Sequence, residues 1–170
     1  MTPILILYAS TSGSTRLLVQ SIVHDLQEAN VECQDIKALD SLTLAGRDLI
    51  ILATPTYGTG DWHNAWDEKG AKLLADLPPN AKIALLGLGD SRGHRKSFAG
   101  GIAKLAALAR SRDANLVGAV PLCDYDFEAS PAAEDGMFPG LVVEYRRNRN
   151  AAAARAVRWV RGLLQRDSDL

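Results

Sequence analysis

The chain has 170 residues, a length that suits one well-buried domain spanning residues 1–170 and is too short for two ordinary ones. Hydrophobic residues make up 47% and charged residues 23%, which excludes the disordered, collagen-like and disulfide-rich classes. The net charge of -1 conceals an asymmetry: the first 91 residues carry 6 Lys and Arg against 11 Asp and Glu, and the remainder carry 13 against 9. The basic residues form short clusters without interleaved aromatics, so we do not expect nucleic-acid binding.

The amino-terminal stretch has no basic region before its apolar run, and that run is too short to span a bilayer. We therefore expect a buried first strand in a cytoplasmic protein that does not contact the membrane. Cys33 and Cys123 are too isolated to form a disulfide framework, and no His lies at metal-ligand spacing from either. No metal site is expected.

Apolar runs and helical periodicity alternate along the chain. They predict strands at residues 4–9, 31–36, 49–53, 82–88 and 116–120. They predict helices after Thr15 and at residues 65–75, 97–112 and 151–165. Because parallel strands require crossovers, and right-handed crossovers place helices on both faces, the pattern predicts an α/β fold with three α/β/α layers.

Residues 121–150, between the predicted fifth strand and the last helix, form a connection longer than usual. The segment is rich in large apolar side chains: Tyr125, Phe127, Met137, Phe138, Leu141, Val142 and Val143. Such a composition is too apolar for a solvated linker. We expect an insertion that packs on the domain.

The loop after the first strand is rich in hydroxyl groups. Its residues are Ser10, Thr11, Ser12, Gly13, Ser14 and Thr15. It immediately precedes a helix, whose amino terminus favours an anion, but it contains no Lys or Arg and matches neither a P-loop nor a dinucleotide motif. The sequence of this loop predicts that it binds a single terminal phosphate, as in a mononucleotide, through neutral donors. Taken alone, the same residues could merely cap the helix.

Two further loops follow strands three and four, and ligands of open parallel sheets bind at this edge. In residues 54–63, Tyr57 lies beside Gly58, which suits stacking on a flat ring while the backbone approaches the ring edge. In residues 87–94, glycines again allow close backbone approach, and His94 could supply a second ring face. Each aromatic alone is more often a packing residue, but three successive ligand-side loops favour one shared site.

These loops resemble those of flavodoxins, the small electron carriers that contain FMN. Residues 10–15 match the family's phosphate loop. Residues 55–58 match its first isoalloxazine loop, here called the first ring loop, and residues 87–90 match its second, here called the second ring loop. His94 falls where a stacking Tyr commonly stands. Residues 124–141 resemble the insertion of long-chain members. The resemblance implies a five-stranded parallel sheet of order 2-1-3-4-5, with the insertion associated with strand 5.

The resemblance also implies the residues that bind FMN. They are Ser10, Thr11, Ser12, Gly13, Ser14, Thr15, Pro55, Thr56, Tyr57, Gly58, Thr59, Gly60, Gly87, Leu88, Gly89, Asp90, Gly93, His94 and Phe98. In the family, reduction flips the peptide at the position of Gly58, so we expect this glycine to tune the redox potential. No side chain is expected to be catalytic, because the chemistry belongs to the cofactor.

The function implied is that of a low-potential one-electron carrier, monomeric, that shuttles electrons between redox enzymes. Expected partners are a flavodoxin/ferredoxin-NADP reductase and an acceptor enzyme. The alternative is an FMN-dependent NAD(P)H or quinone reductase of the same fold. Those enzymes usually oligomerise and use different ring loops.

The chain departs from the usual acidic character of flavodoxins. Basic side chains lie beside the second ring loop and after the insertion: Arg92, His94, Arg95, Lys96, Arg146, Arg147 and Arg149. Cations near the flavin favour its anionic reduced form, so we expect a less strongly reducing cofactor than in acidic relatives, unless these side chains are screened by solvent. Of the other histidines, His24 and His63 are expected at the surface, and Trp159 is expected in the core.

Overall fold

The computed structural model describes residues 3–168. Its strands are β1 (Ile4–Tyr8), β2 (Val31–Asp35), β3 (Leu49–Pro55), β4 (Lys82–Leu88), β5 (Asn115–Val117), β6 (Val120–Pro121), β7 (Met137–Phe138) and β8 (Leu141–Val143). Its α-helices are α1 (Ser14–Asp25), α2 (Ala71–Leu73), α3 (Gly100–Arg110) and α4 (Arg149–Ser168). No helix within residues 3–168 is long and apolar enough to cross a membrane.

The main sheet has the order β2-β1-β3-β4-β5, and all its neighbouring strands are parallel. This confirms the expected sheet order. In the centre of the sheet, Ile6 of β1 lies opposite Cys33 of β2 on one side and Ile51 of β3 on the other. The order reverses at β1 and β3, so the carboxyl ends of these two strands flank the switch point where ligands bind.

The central strands are buried on both faces, which explains their continuous apolar runs. On β1, Ile4 and Ile6 belong to the core cluster that contains α1 and α4. Leu5 and Leu7 belong to the opposite cluster, with α2 and α3. All four side chains are fully buried. The sheet is therefore covered by helices on both sides, as predicted.

The fifth position of the sheet is occupied by two short strands. β5 pairs with residues 82–84 of β4, and β8 pairs with residues 86–88 of the same strand. The insertion therefore lies between two halves of the fifth strand, and the prediction of one strand at 116–120 was wrong. Gly118, with φ +84°, turns the chain out of the sheet, and Val120 pairs antiparallel with Phe138 instead.

The insertion packs on the domain through an aromatic cluster, as expected. Tyr125, Phe127 and Phe138 surround Phe98, with ring centroids 5.3–6.0 Å from it. The Tyr125 hydroxyl donates to the Val142 carbonyl at 2.7 Å, which fastens the insertion to β8. Burial raises the pKa of Tyr125 to about 12.

Two predicted helices differ from those in the structure. The helix predicted at 65–75 is a π-helical turn, Trp66–Gly70, followed by the short α2. The helix predicted from residue 97 begins only at Gly100, because Ala99 has φ +56° and interrupts the helical backbone. The helix α4 covers the predicted residues 151–165, and Trp159 on it packs against the core while its Nε1 donates to the Gly118 carbonyl.

Candidate functional site

A cavity of about 520 Å³ opens at the carboxyl ends of β1, β3, β4 and β8. Residues from all three predicted loops line it: Ser10, Ser12, Ser14, Thr15, Pro55, Thr56, Tyr57, Gly58, Leu88, Gly89, Asp90 and His94. The sheet topology thus brings the hydroxyl-rich loop and both proposed ring loops to one site.

The hydroxyl-rich loop has the geometry of an anion-binding turn. Gly13 has φ +94°, and its N–H donates to Ser10 Oγ at 3.1 Å. The loop leads directly into α1, whose first turn contains no acidic residue. A helix amino terminus with free backbone donors and no competing carboxylate favours an anion.

A cation lies against this loop although its own sequence has none. Arg146 Nη2 donates to Ser12 Oγ at 2.8 Å, and its Nε lies 3.4 Å from Ser14 Oγ. Arg146 also lines the cavity. The structure therefore places a guanidinium beside the neutral hydroxyl groups of this loop.

The expectation that His63 lies at the surface was also wrong, because His63 is only 3% exposed. Its Nε2 is 2.7 Å from Thr11 Oγ1, and its Nδ1 accepts the N–H of Ala65 at 3.1 Å. Its own N–H donates to Thr54 Oγ1. These partners satisfy the ring and make its burial possible. His24 is exposed, as expected.

His63 connects the hydroxyl-rich loop to the first ring loop. Because Nδ1 accepts a backbone N–H, the ring is neutral and Nε2 carries the proton toward Thr11. Burial, with a contribution from the nearby Lys37, lowers the pKa of His63. The Lys37 ammonium itself donates to the Ser10 carbonyl, so it also contacts the hydroxyl-rich loop.

The first ring loop presents an aromatic side chain to solvent at the cavity wall. Tyr57, 39% exposed, lines the cavity, and its backbone pairs with Asp61 through two hydrogen bonds of 2.8 Å. Gly58 has φ +51°, and an added Cβ would meet no atom within 4 Å. An exposed tyrosine next to open backbone can stack on a flat ring and bond its edge.

The second ring loop is shaped by two carboxylates. Asp90 Oδ1 accepts the N–H groups of Arg92 at 3.0 Å and Gly93 at 3.1 Å. Glu144 Oε1 accepts both the N–H and the hydroxyl of Ser91, at 2.8 and 2.6 Å. Glu144 thereby fixes this loop to the segment that follows β8.

Several predicted residues do not line the cavity: Thr11, Gly13, Thr59, Gly60, Gly87, Gly93 and Phe98. Phe98 is fully buried in the aromatic cluster. Close packing explains why residues 87 and 89 are glycines. A Cβ at Gly87 would lie 2.5 Å from the Ile102 side chain, and a Cβ at Gly89 would lie 2.8 Å from the Phe98 ring. At both positions the missing side chain leaves room for core packing, and Gly89 in addition lines the cavity.

The cavity wall also contains residues that were not predicted to bind the cofactor: Arg92, Ala99, Glu144, Tyr145, Arg146 and Arg147. The three arginines among them were expected only as cations that influence the flavin. Most of these follow β8, which was predicted as insertion rather than sheet. A strand assignment for the apolar residues 141–143 would have placed the next residues at the ligand edge.

The basic residues do not all face the cavity. Arg92, His94, Arg146 and Arg147 line it. Arg95 instead pairs with two carboxylates of the insertion, Asp126 at 3.2 Å and Glu128 at 3.3 Å. The expected cluster of cations at the ring is therefore smaller than its sequence suggests.

Together, the fold and the cavity define a class of protein. It is a doubly wound α/β domain whose cavity at the switch point has hydroxyl groups and a helix amino terminus at one end and an exposed aromatic side chain at the other.

Comparison with known proteins identifies the family. The flavodoxin family model matches residues 6–139. Flavodoxin 1 of Salmonella typhimurium is 29% identical over 158 residues, covering 92% of this chain and 89% of the relative, and Helicobacter pylori flavodoxin is 30% identical over 155 residues, covering 91% and 92%. The crystal structure of Fusobacterium nucleatum flavodoxin bound to flavin mononucleotide superposes with a TM-score of 0.84 at 25% identity, covering 98% of this chain and 99% of that one.

The chain belongs to the flavodoxin family. Flavodoxins are electron-transfer proteins rather than enzymes, and they work with FMN. As a family member, this protein exchanges electrons with redox partner proteins.

Proposed function

We propose that the cavity binds FMN and that the protein is a low-potential one-electron carrier. The observation that carries this proposal is the continuity of the cavity, which joins the hydroxyl-rich loop at the start of α1 to the exposed Tyr57. A phosphate at the first position and an isoalloxazine ring at the second match the two chemistries that these walls offer. Bound FMN would accept and release single electrons.

The residues divide into two groups by the part of FMN that they would hold. Of the residues that line the cavity, Ser10, Ser12, Ser14 and Thr15 would surround the phosphate. The ring would lie among Pro55, Thr56, Tyr57, Gly58, Leu88, Gly89, Asp90 and His94. The remaining predicted residues, Thr11, Gly13, Thr59, Gly60, Gly87, Gly93 and Phe98, would act by shaping these loops.

The exposed face of Tyr57 marks the edge through which electrons would enter and leave. We propose a donor of the flavodoxin/ferredoxin-NADP reductase type and an acceptor enzyme, each docking at this edge. We further propose that the chain acts as a single monomeric domain in the cytoplasm. Sedimentation of the purified protein tests the monomer.

Titration of the apoprotein with FMN, followed by quenching of flavin fluorescence, tests the proposed function. We expect saturation at one FMN per chain and no rapid reduction of the bound flavin by NADPH alone. Absence of saturable binding would refute the FMN site. Rapid bleaching by NADPH without a separate reductase would instead indicate a reductase.

A further inference from the structure

We infer that Arg146 is the phosphate-recognition residue of this site and that it gives the protein its preference for FMN over riboflavin. The inference rests on the proposed function and assigns a charged residue to a loop whose own sequence has none.

The position of Arg146 is set by the split fifth strand. Arg146 follows β8 closely, and β8 pairs with the carboxyl-terminal part of β4, so the residue emerges at the ligand edge of the sheet. From there its guanidinium reaches the hydroxyl-rich loop and contacts Ser14 and Ser12, which lie 132 and 134 residues away in sequence.

Among the side chains that the structure describes, residues 3–166, Arg146 has no carboxylate partner. Its neighbour Arg147 pairs with Glu144 at 3.4 Å, and Arg95 pairs with the insertion. The hydrogen bonds found for Arg146 go to two serine hydroxyls of the proposed phosphate loop. A guanidinium with neutral partners, at the mouth of a cavity, retains its charge for an anionic ligand.

The hydrogen-bond roles of the hydroxyls point to the same ligand. Ser12 and Ser14 accept from Arg146, and Ser10 accepts from the Gly13 N–H. A serine hydroxyl has one proton, so each of these groups still has an O–H to donate. The guanidinium has five N–H donors and uses two of them here. The loop therefore offers donors, which suits a phosphate ester because its terminal oxygens act as acceptors.

This arrangement predicts discrimination by charge. A phosphate monoester carries roughly -1.5 to -2 charges near neutral pH, and bonds between guanidinium and phosphate are among the strong charge-assisted ones. Riboflavin carries the same ring but no phosphate. Arg146 should therefore contribute to FMN binding and not to riboflavin binding.

The test compares four proteins: wild type, Arg146→Gln, Arg146→Lys and the control Lys96→Gln. Lys96 is exposed and does not line the cavity, so its replacement changes the net charge equally without touching the site. Dissociation constants for FMN and for riboflavin are measured on each apoprotein at low and high salt. Inorganic phosphate is added as a competitor of FMN.

Loss of one charge-assisted contact should weaken FMN binding by Arg146→Gln by about 10- to 100-fold while riboflavin binding stays unchanged. Arg146→Lys should recover part of the affinity, because it restores the charge without the fork geometry. FMN binding by Arg146→Gln should depend less on salt and compete less with phosphate than wild type. Lys96→Gln should resemble wild type.

Equal losses for FMN and riboflavin, or no loss for either, would overturn the inference. Because Arg146 is exposed, we expect the unfolding midpoint of the Arg146→Gln apoprotein to match that of wild type. If wild type binds FMN and Arg146→Gln binds it equally well, only this inference fails. If wild type binds neither flavin, the proposed function fails and the inference fails with it.

Discussion

Gly58 adopts a backbone conformation that alanine tolerates poorly, in a place where an alanine side chain has room. At φ +51° an alanine costs roughly 1–2 kcal/mol, and its Cβ would meet no atom within 4 Å. We expect Gly58→Ala to bind FMN but to accumulate less of the one-electron-reduced flavin. Visible spectra during stepwise reduction measure that amount.

The matched control for this variant is Gly46→Ala. Gly46 has φ +76°, also with open space around an added Cβ, and does not line the cavity. Gly46→Ala should lose about as much free energy of unfolding as Gly58→Ala does, while its spectra during reduction stay those of wild type. An unchanged yield of the one-electron-reduced form in Gly58→Ala would refute the role of this glycine.

His63 gives the fold a dependence on pH. Its pKa is lowered in the folded protein, chiefly by burial and also by Lys37, whereas the unfolded chain has the ordinary value of about 6.5. As the pH falls below that ordinary value, the unfolded state takes up a proton before the folded state does. The stability that neutral His63 provides is complete above about pH 6.5 and is lost as the pH falls toward the lowered pKa.

We therefore expect His63→Gln to lose less stability than wild type between about pH 7 and about pH 5. Urea unfolding at these two values measures the difference. The exposed His24→Gln serves as the control and should keep the pH dependence of wild type. Parallel pH dependence in His63→Gln and wild type would contradict the assignment.

At the scale of single residues, the sequence predicted those side chains whose role is set by local structure. The hydroxyl-rich loop and Tyr57 follow predicted strands directly, so the topology alone brings them to the ligand edge. The contacts of Arg146 and His63 with the hydroxyl-rich loop could not be predicted, because each joins segments far apart in the chain. No local pattern records such a contact.

At the scale of elements, the insertion is part of the hydrophobic core. Phe138 is fully buried, and its ring lies 5.1 Å from Tyr125 and 5.5 Å from Phe127, all within the cluster that joins the insertion to the domain. Truncation of a fully buried phenylalanine removes apolar contacts and leaves a cavity. The insertion should therefore contribute to the stability of the entire fold.

We expect Phe138→Ala to reduce the free energy of unfolding by about 3–5 kcal/mol. Phe127→Ala, at a partly exposed position of the same cluster, should cost clearly less. Urea denaturation of both variants measures the two losses. Equal small losses would show that the insertion is only loosely attached.

The split of the fifth strand was not predicted from the sequence, and only its first part was predicted as a strand. Residues 116–120 and 141–143 are both apolar, but the pairing partner of each is decided by β4. Gly118 offered a local signal for the break, since glycine readily adopts the positive φ found there. The helices α1 and α4 were easier to predict from the sequence, because each has a regular apolar stripe.

At the scale of the whole molecule, only some of the basic residues in the second half of the chain line the cavity. Arg92 and His94 line the cavity beside the proposed ring position, whereas ion pairs with the insertion hold Arg95. A cation about 8 Å from the flavin, at an effective dielectric near 40, favours the anionic reduced form by about 1 kcal/mol, or roughly 45 mV for one electron.

We expect Arg92→Gln to make the more negative midpoint potential still more negative, by up to about 45 mV at low salt. High salt should shrink the shift, because Arg92 is exposed and its charge is screened. Lys96→Gln again serves as the control. A potential that Arg92→Gln leaves unmoved at low salt would show that the ring does not sense this side chain.

The measurement that tests the central claim most directly is the visible spectrum of the FMN-loaded protein during stepwise chemical reduction, followed by addition of NADPH alone to the oxidised protein. We expect one bound FMN that is reduced in two separate one-electron steps and that NADPH alone does not rapidly bleach. A protein that retains no flavin, or whose flavin NADPH alone reduces at once, would contradict it.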